Sequence, residues 1–211
     1  MNQRQERTKR LALSSIMIAL GTILSIIPIG PRLPFGGQIT PMSMAPVMLI
    51  CYIYGVKWGL VCSISFGAIQ AIIGASHGMY IAQSWWKIVL IAVLDYVVAY
   101  AAMSLAGVFK NKIKTPQLSI AAGATVAGIA RLLCHFLSGI LIWGSYAQST
   151  LESVAIGQKI LETYSGFTLT AIYSILYNSA FLLPDLSFAI VGLVIIISVK
   201  PIQKEARLAS L

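Results

Sequence analysis

Residues 166–199 read GFTLTAIYSILYNSAFLLPDLSFAIVGLVIIISV, an apolar run in which Asp185 is the only charged residue. As a straight helix this run would be ~50 Å long, whereas the hydrocarbon core of a bilayer is ~30 Å thick. We therefore expect a membrane-crossing helix that tilts, bends near Pro184 or projects from the bilayer.

The rest of the chain is similarly apolar. Of its 211 residues, 58% are hydrophobic and 10% are charged, whereas about 25% are charged in soluble domains. Charged residues, Gly and Pro separate five further apolar segments, at residues 11–29, 41–55, 58–75, 85–109 and 118–144. We predict an all-α polytopic membrane protein, a bundle of six transmembrane helices that forms one integral membrane domain over residues 1–211.

The net charge of +9 indicates an orientation in the membrane. The basic residues lie in short tracts between apolar segments, and Lys and Arg accumulate in cytoplasmic loops. If the N-terminus is cytoplasmic, only Arg32 and Lys159 fall outside, and the inner side collects Arg4, Arg7, Lys9, Arg10, Lys57, Lys110, Lys112, Lys114, Lys200, Lys204 and Arg207. We expect a protein of the cell membrane with both termini on the cytoplasmic side, and we expect no nucleic-acid partner.

Apart from Lys87, which we expect to extend outward from a segment boundary, four ionisable side chains lie within the apolar segments, and such groups are candidate functional residues because burying them in lipid is costly. They are Asp95, Arg131, His135 and Asp185. Counting along the helices places Asp95, His135 and Asn178 ~13 to 18 Å below the outer boundary, on three different helices. We expect them to form a pocket suited to a flat, positively charged heteroaromatic ligand, since aromatic faces attract a cation and Asp95 neutralises it.

Structural roles are open alternatives for several of these residues. Asp95 and Arg131 could form a buried ion pair between two helices. Asp185, beside Pro184, is expected to be a helix-bend residue or an inter-helix hydrogen-bond partner. Ser15 and Ala19 stand four residues apart in the first segment, a spacing that permits close approach of another helix in lipid.

The stretch RLLCHFLSGILIWGSYA (131–147) closely resembles the fifth-helix signature of the thiamine-specific substrate-binding (S) component of energy-coupling factor (ECF) transporters. Three further pieces agree in collinear order. They are GGQIT (36–40) with Pro46 and YGVKWG (54–59), LDYVVA (94–99), and YSILYN (173–178) with LPD (183–185).

The resemblance implies a high-affinity thiamine-binding component of an ABC-type vitamin importer, which captures thiamine from outside and needs no cofactor of its own. A transmembrane coupling protein and two ATPase subunits would drive transport, consistent with the lack of a GxxxxGK[ST] phosphate loop here. The resemblance also implies that the ligand-binding residues are Asp95, Tyr96, His135, Trp143, Tyr173 and Asn178. The coupling protein would meet Ser15 and Ala19.

Further ligand or lid contacts are expected at Phe35, Trp85, Tyr146 and Tyr177. Phe35 is the only aromatic residue in the first outer loop, where the family has a lid tryptophan. Asp95 also departs from the family, which usually has Glu there. A thiamine precursor or another vitamin is therefore an alternative ligand, and a structural or scaffold membrane protein is an alternative of another class. We predict no catalytic residue, since no recognisable nucleophile or metal set accompanies Asp95, and no metal site.

Overall fold

The computed structural model describes residues 3–76 and 84–209, and the regular structure in these ranges is helical. The helices are α1 (Gln3–Ile26), α2 (Ala45–Tyr54), α3 (Val56–Ser76), α4 (Trp85–Gly107), α5 (Pro116–Ser138), α6 (Ala147–Glu152), α7 (Gly157–Thr163), α8 (Gly166–Ile197) and α9 (Lys200–Leu208). A single 3-10 turn, Pro34–Gly36, lies in the loop between α1 and α2.

Five helical stretches in the described residues are long and apolar enough to cross a membrane. They are α1, α3, α4, the stretch Pro116–Glu152 that begins with α5, and α8. The remaining apolar segment, residues 41–55, forms the shorter helix α2. The predicted fold class, an all-α polytopic membrane protein, is confirmed.

Helix α2 forms the centre of the bundle. Its ten residues span ~15 Å, about half of the hydrocarbon core. Every residue from Ala45 to Ile53 is buried, as expected for a helix that is apolar on all sides. Pro46 fits the first turn, where no intrahelical N–H is needed. Gly55, with φ of +83°, reverses the chain directly into α3.

Small residues allow α4, α5 and α8 to approach one another closely. A Cβ atom added to Gly123 of α5 would lie 2.2 Å from the carbonyl oxygen of Ala106 in α4. A Cβ on Gly128 would lie 2.3 Å from the side chain of Leu186 in α8. Tight packing replaces the hydrophobic driving force that is missing between helices in lipid. These contacts fix the relative positions of the three helices that carry the polar residues.

The quoted apolar run forms one helix, α8, which continues through Pro184 for 32 residues. Its length of ~48 Å exceeds the hydrocarbon thickness, as expected from the sequence. Asp185 is buried in the middle of this helix, and Tyr173 and Asn178 are buried closer to its N-terminal end.

Candidate functional site

A cavity of about 120 Å³ lies between α4, α5, α8 and the loop that joins α1 to α2. Most of its lining is polar or aromatic. The lining residues are Gly36, Gly37, Asp95, Tyr96, Tyr100, Arg131, His135, Gly139, Trp143, Tyr173, Tyr177, Asn178 and Phe181. The structure therefore brings together all six residues predicted to bind the ligand. A concave site with a few convergent polar groups is typical of small-molecule binding.

Two π-helical segments carry part of this lining. Asp95 and Tyr96 lie within Ile91–Val98 of α4, and Gly139–Trp143 continues α5. A π-helical turn takes an additional residue, and such turns occur frequently at functional sites. Both interruptions of the α-helical pattern thus lie where the two helices face the cavity.

The carboxylate of Asp95 is the centre of a hydrogen-bond network. Its Oδ1 accepts from Nδ1 of His135 at 2.9 Å. Its Oδ2 accepts from Ser138 Oγ at 2.7 Å and from Trp143 Nε1 at 3.4 Å. An ionised carboxylate offers about four acceptor positions, so three protein donors leave room for about one more donor from a ligand.

Arg131 acts on the same network through His135. Its Nε–H donates to Nε2 of His135 at 3.4 Å, and its guanidinium lies 4.3 Å from the centre of the Tyr100 ring. Because Nδ1 donates to Asp95 and Nε2 accepts from Arg131, the imidazole of His135 is neutral. Asp95 is thus hydrogen-bonded to His135, and the ion pair between Asp95 and Arg131, which was one reading of the sequence, is not formed.

Asn178 connects α8 to the end of α5. Its Nδ2 donates to the carbonyl oxygens of Ser174 at 2.9 Å and His135 at 3.2 Å. The contact depends on Gly139, because a Cβ there would lie 2.0 Å from Ser174 Oγ. Tyr173 lines the cavity beside Asn178, although the two positions lie about 140 degrees apart on an ideal helix.

Aromatic rings form the wall next to these polar groups. The Tyr177 ring lies 5.7 Å from Tyr173 and 6.0 Å from Phe181, and Phe181 meets the His135 ring edge-on at 6.1 Å. On the α4 side Tyr96 stacks on Tyr100 at 6.2 Å. Such rings offer faces for a flat ligand and for a cationic centre.

Two side chains of α8 hold the loop between α1 and α2 beside the cavity. The hydroxyl of Tyr177 accepts from the backbone N–H of Gly37 at 3.2 Å and donates to the carbonyl oxygen of Pro34. Asp185 Oδ1 accepts from the hydroxyl of Thr40 at 2.6 Å and from its N–H at 3.2 Å. Asp185 is therefore a hydrogen-bond partner between α8 and this loop.

The additional predicted contacts lie in different places. Tyr177 lines the cavity, whereas Tyr146 packs behind Trp143 with ring centres 6.1 Å apart. Trp85 is 77% exposed and is not part of the lining. The side chain of Phe35 lies outside the described residues. Ser15 and Ala19 are exposed on α1, away from the cavity.

The lining residues Tyr100 and Phe181, and Ser138, which binds Asp95 without lining the cavity, were not singled out from the sequence, although helical spacing carries a signal for them. Ser138 lies three residues after His135, Tyr100 four after Tyr96, and Phe181 four after Tyr177. These spacings place each pair on one face of a helix. Among the described residues, no group of three or more His, Cys, Asp or Glu side chains is arranged to hold a metal ion.

The fold and this cavity together define a polytopic helical membrane protein with a candidate small-molecule site inside its bundle. Residues 11–156 match the family model described as Thiamine transporter protein (Thia_YuaJ). The chain belongs to this family, which confirms the family expected from the sequence.

The chain is also similar to the ThiT proteins of two bacteria. The thiamine transporter ThiT of Bacillus subtilis (strain 168) is 27% identical in an alignment of 205 residues that covers 92% of each protein. A solved structure of ThiT from Listeria monocytogenes superposes with a TM-score of 0.67 at 20% identity. The superposition covers 95% of this chain and 98% of that one, so the two share a fold.

Proposed function

We propose that the cavity binds thiamine and that the chain is the substrate-binding component of an ECF-type vitamin importer in the cell membrane. The observation that carries this proposal is the position of Asp95, a buried carboxylate that lines an aromatic cavity in a member of the thiamine transporter family. A carboxylate among aromatic faces suits a flat cation.

Thiamine offers a group for each part of this lining. Its aminopyrimidine has an N–H donor for the acceptor position that Asp95 retains beyond His135, Ser138 and Trp143. Its thiazolium ring carries the positive charge that Asp95 and the faces of Trp143 and the tyrosines attract. The two rings can bury flat faces against Tyr96 and Tyr177.

Transport requires partners in this proposal. Thiamine enters the cavity from outside, both termini lie in the cytoplasm, and a transmembrane coupling protein with two ATPases supplies the driving force. The chain performs no chemistry and uses no cofactor. Ser15 and Ala19, exposed on α1, provide the small-residue surface that a coupling helix can approach closely.

Thiamine titration of the purified protein, followed by tryptophan fluorescence and calorimetry, tests the proposal. We expect saturable quenching that comes mainly from Trp143, so Trp143→Phe removes most of it. Trp85→Phe is the matched control and keeps the quenching, because Trp85 lies outside the lining. A panel of thiamine precursors and other vitamins measures selectivity. Folded protein that shows no saturable binding of thiamine by either method would exclude the proposal.

A further inference from the structure

A second cavity, of about 130 Å³, lies at the end of the bundle that carries both termini. The turn after α4, the first turn of α5 and helix α9 surround it, together with Tyr52 of α2. Its volume is well above the ~10 to 15 Å³ that one water needs. It is separate from the candidate thiamine site, with which it shares no lining residue.

The second cavity is strongly basic. Lys110, Lys114 and Arg207 line it, and none of its lining residues in the described part of the chain is acidic. The nearest acid along α9 is Glu205, whose carboxylate is already bound by Lys9 at 2.5 Å and by the Tyr54 hydroxyl at 3.3 Å. The three cationic side chains therefore give the cavity a net positive charge that an anionic ligand can neutralise.

Neutral donors accompany these charges. The amide side chains of Asn111 and Gln203 line the cavity, and α5 begins at Pro116 on its wall, with no side-chain cap from Thr115. The N-terminal end of a helix carries partial positive charge and favours anions. Cationic and amide donors around one small space match the several acceptor oxygens of a phosphate group.

Lys110 forms one side of this arrangement. Its Nζ donates to the carbonyl oxygen of Ile53, the penultimate residue of α2, at 2.5 Å. An ammonium group has three N–H donors, so two are left for a ligand. Burial lowers the pKa of Lys110 to about 8. A nearby anion would favour the charged form and reverse part of this effect.

The surroundings of the cavity fit a membrane lipid. Lys200 and Lys204 of α9 are exposed, and so is Lys112 beside the cavity. The apolar side chains of Leu118 and Val199 are exposed where α5 begins and α8 ends. Basic pockets between membrane helices bind anionic headgroups, and the exposed apolar side chains give the acyl chains a surface.

We propose that this cavity binds a phosphate group, which in the membrane is the headgroup phosphate of an anionic phospholipid. The test uses the full chain in phosphatidylcholine nanodiscs, with or without roughly 20% phosphatidylglycerol. A second arm uses detergent-solubilised protein with inorganic phosphate, compared with chloride at equal ionic strength. Lipid retention by native mass spectrometry, the unfolding temperature and amide hydrogen exchange of residues 110–116 and 200–208 are measured.

Two double variants separate the cavity from general charge effects. Lys114→Gln with Arg207→Gln removes two cations that line the cavity, and Arg4→Gln with Lys57→Gln removes two exposed cations elsewhere at the same end. We expect the first variant to lose phosphatidylglycerol retention at least about fivefold, and the second to stay within about twofold of the unmodified protein.

Each outcome decides the proposal. If only phosphatidylglycerol raises the unfolding temperature and slows amide exchange, the lipid is the source of the phosphate. If inorganic phosphate in detergent has an equal effect, the ligand is free phosphate. Both support the site when the cavity variant loses the effect. The proposal is overturned if the cavity variant responds like the unmodified protein, or if both double variants lose the response equally.

Discussion

Nδ1 of His135 in α5 lies 2.9 Å from Oδ1 of Asp95 in α4, and this hydrogen bond joins the two helices at the candidate thiamine site. Because Arg131 donates to the other ring nitrogen, His135 presents a neutral ring to Asp95. His135 therefore adds no positive charge beside the Asp95 carboxylate, which is left to pair with a cationic ligand.

The first prediction concerns the charge of Asp95. Asp95→Asn keeps the shape of the side chain but removes its charge and one acceptor, so thiamine affinity should fall at least about tenfold, or ~1.4 kcal/mol. Glu152→Gln, an exposed acid in α6, is the charge-matched control and should bind thiamine normally. Calorimetry measures both dissociation constants. Equal affinities for the two variants would contradict a direct role for Asp95.

The second prediction concerns Asp185, which connects α8 to the loop beside the cavity. Asp185→Asn weakens the two hydrogen bonds from Thr40, and a lost buried hydrogen bond to a charged group costs about 1.5 to 3 kcal/mol. We expect a lower unfolding temperature and faster amide exchange over residues 37–43. Ser187→Ala, an exposed hydroxyl in the same helix, is the control. Unchanged exchange in the loop would show that Asp185 does not hold it.

The third prediction concerns Gly139, which allows α5 and α8 to touch. In Gly139→Ala the new Cβ would lie 2.0 Å from Ser174 Oγ, so the helices must separate near Asn178 and His135. Thiamine affinity should fall at least about tenfold, and the protein should lose ~1 to 3 kcal/mol of stability from overpacking. Leu133→Ala, at an exposed position of α5, is the control. A variant with normal affinity would show that this close contact does not shape the site.

The fold was largely accessible from the sequence because hydropathy alone identifies long apolar helices. Hydropathy does not mark where a helix continues into water, so α1 begins at Gln3 although the apolar segment starts at Leu11. The second segment was expected from residue 41, but its helix begins at Ala45, because the chain first turns at Met42 with a φ of +63°. These differences come from local backbone geometry, which composition does not encode.

The site was accessible only in part. Counting depth along three helices correctly brought Asp95, His135 and Asn178 together, since helices in a bilayer share a common boundary. The π-helical segments around Asp95 and Trp143 were not foreseen, because the apolar pattern does not distinguish a π-helical turn from an α-helical one. The contact of Asp185 with Thr40 was also missed, as it joins residues far apart in the chain.

The fourth prediction follows from the lowered pKa of Lys110, about 8 against ~10.4 in an unfolded chain. Between these values the unfolded state binds more protons, so Lys110 destabilises the fold below pH ~8 and this cost disappears as the pH rises towards ~10. Relative to Lys110→Gln, the unfolding temperature of the unmodified protein should therefore rise over this interval. The measurement is made in neutral detergent without phosphate. A constant difference between the two proteins would contradict burial as the cause.

The last prediction concerns α1, whose exposed face is proposed to meet the coupling protein. Ser15 and Ala19 lie on this face together with the exposed side chains of Leu11 and Ile16, and a small-residue surface lets a second helix approach closely.

Ser15→Trp or Ala19→Trp should therefore prevent assembly with the coupling protein and ATPases and abolish thiamine uptake. Thiamine affinity of the isolated protein should stay within about twofold, because α1 lies away from the cavity lining. Val126→Trp, at an exposed position of α5, is the matched control and should assemble normally. Co-purification with the partner subunits and uptake of labelled thiamine measure both effects. If Ala19→Trp assembles and transports like the unmodified protein, the coupling surface lies on another helix.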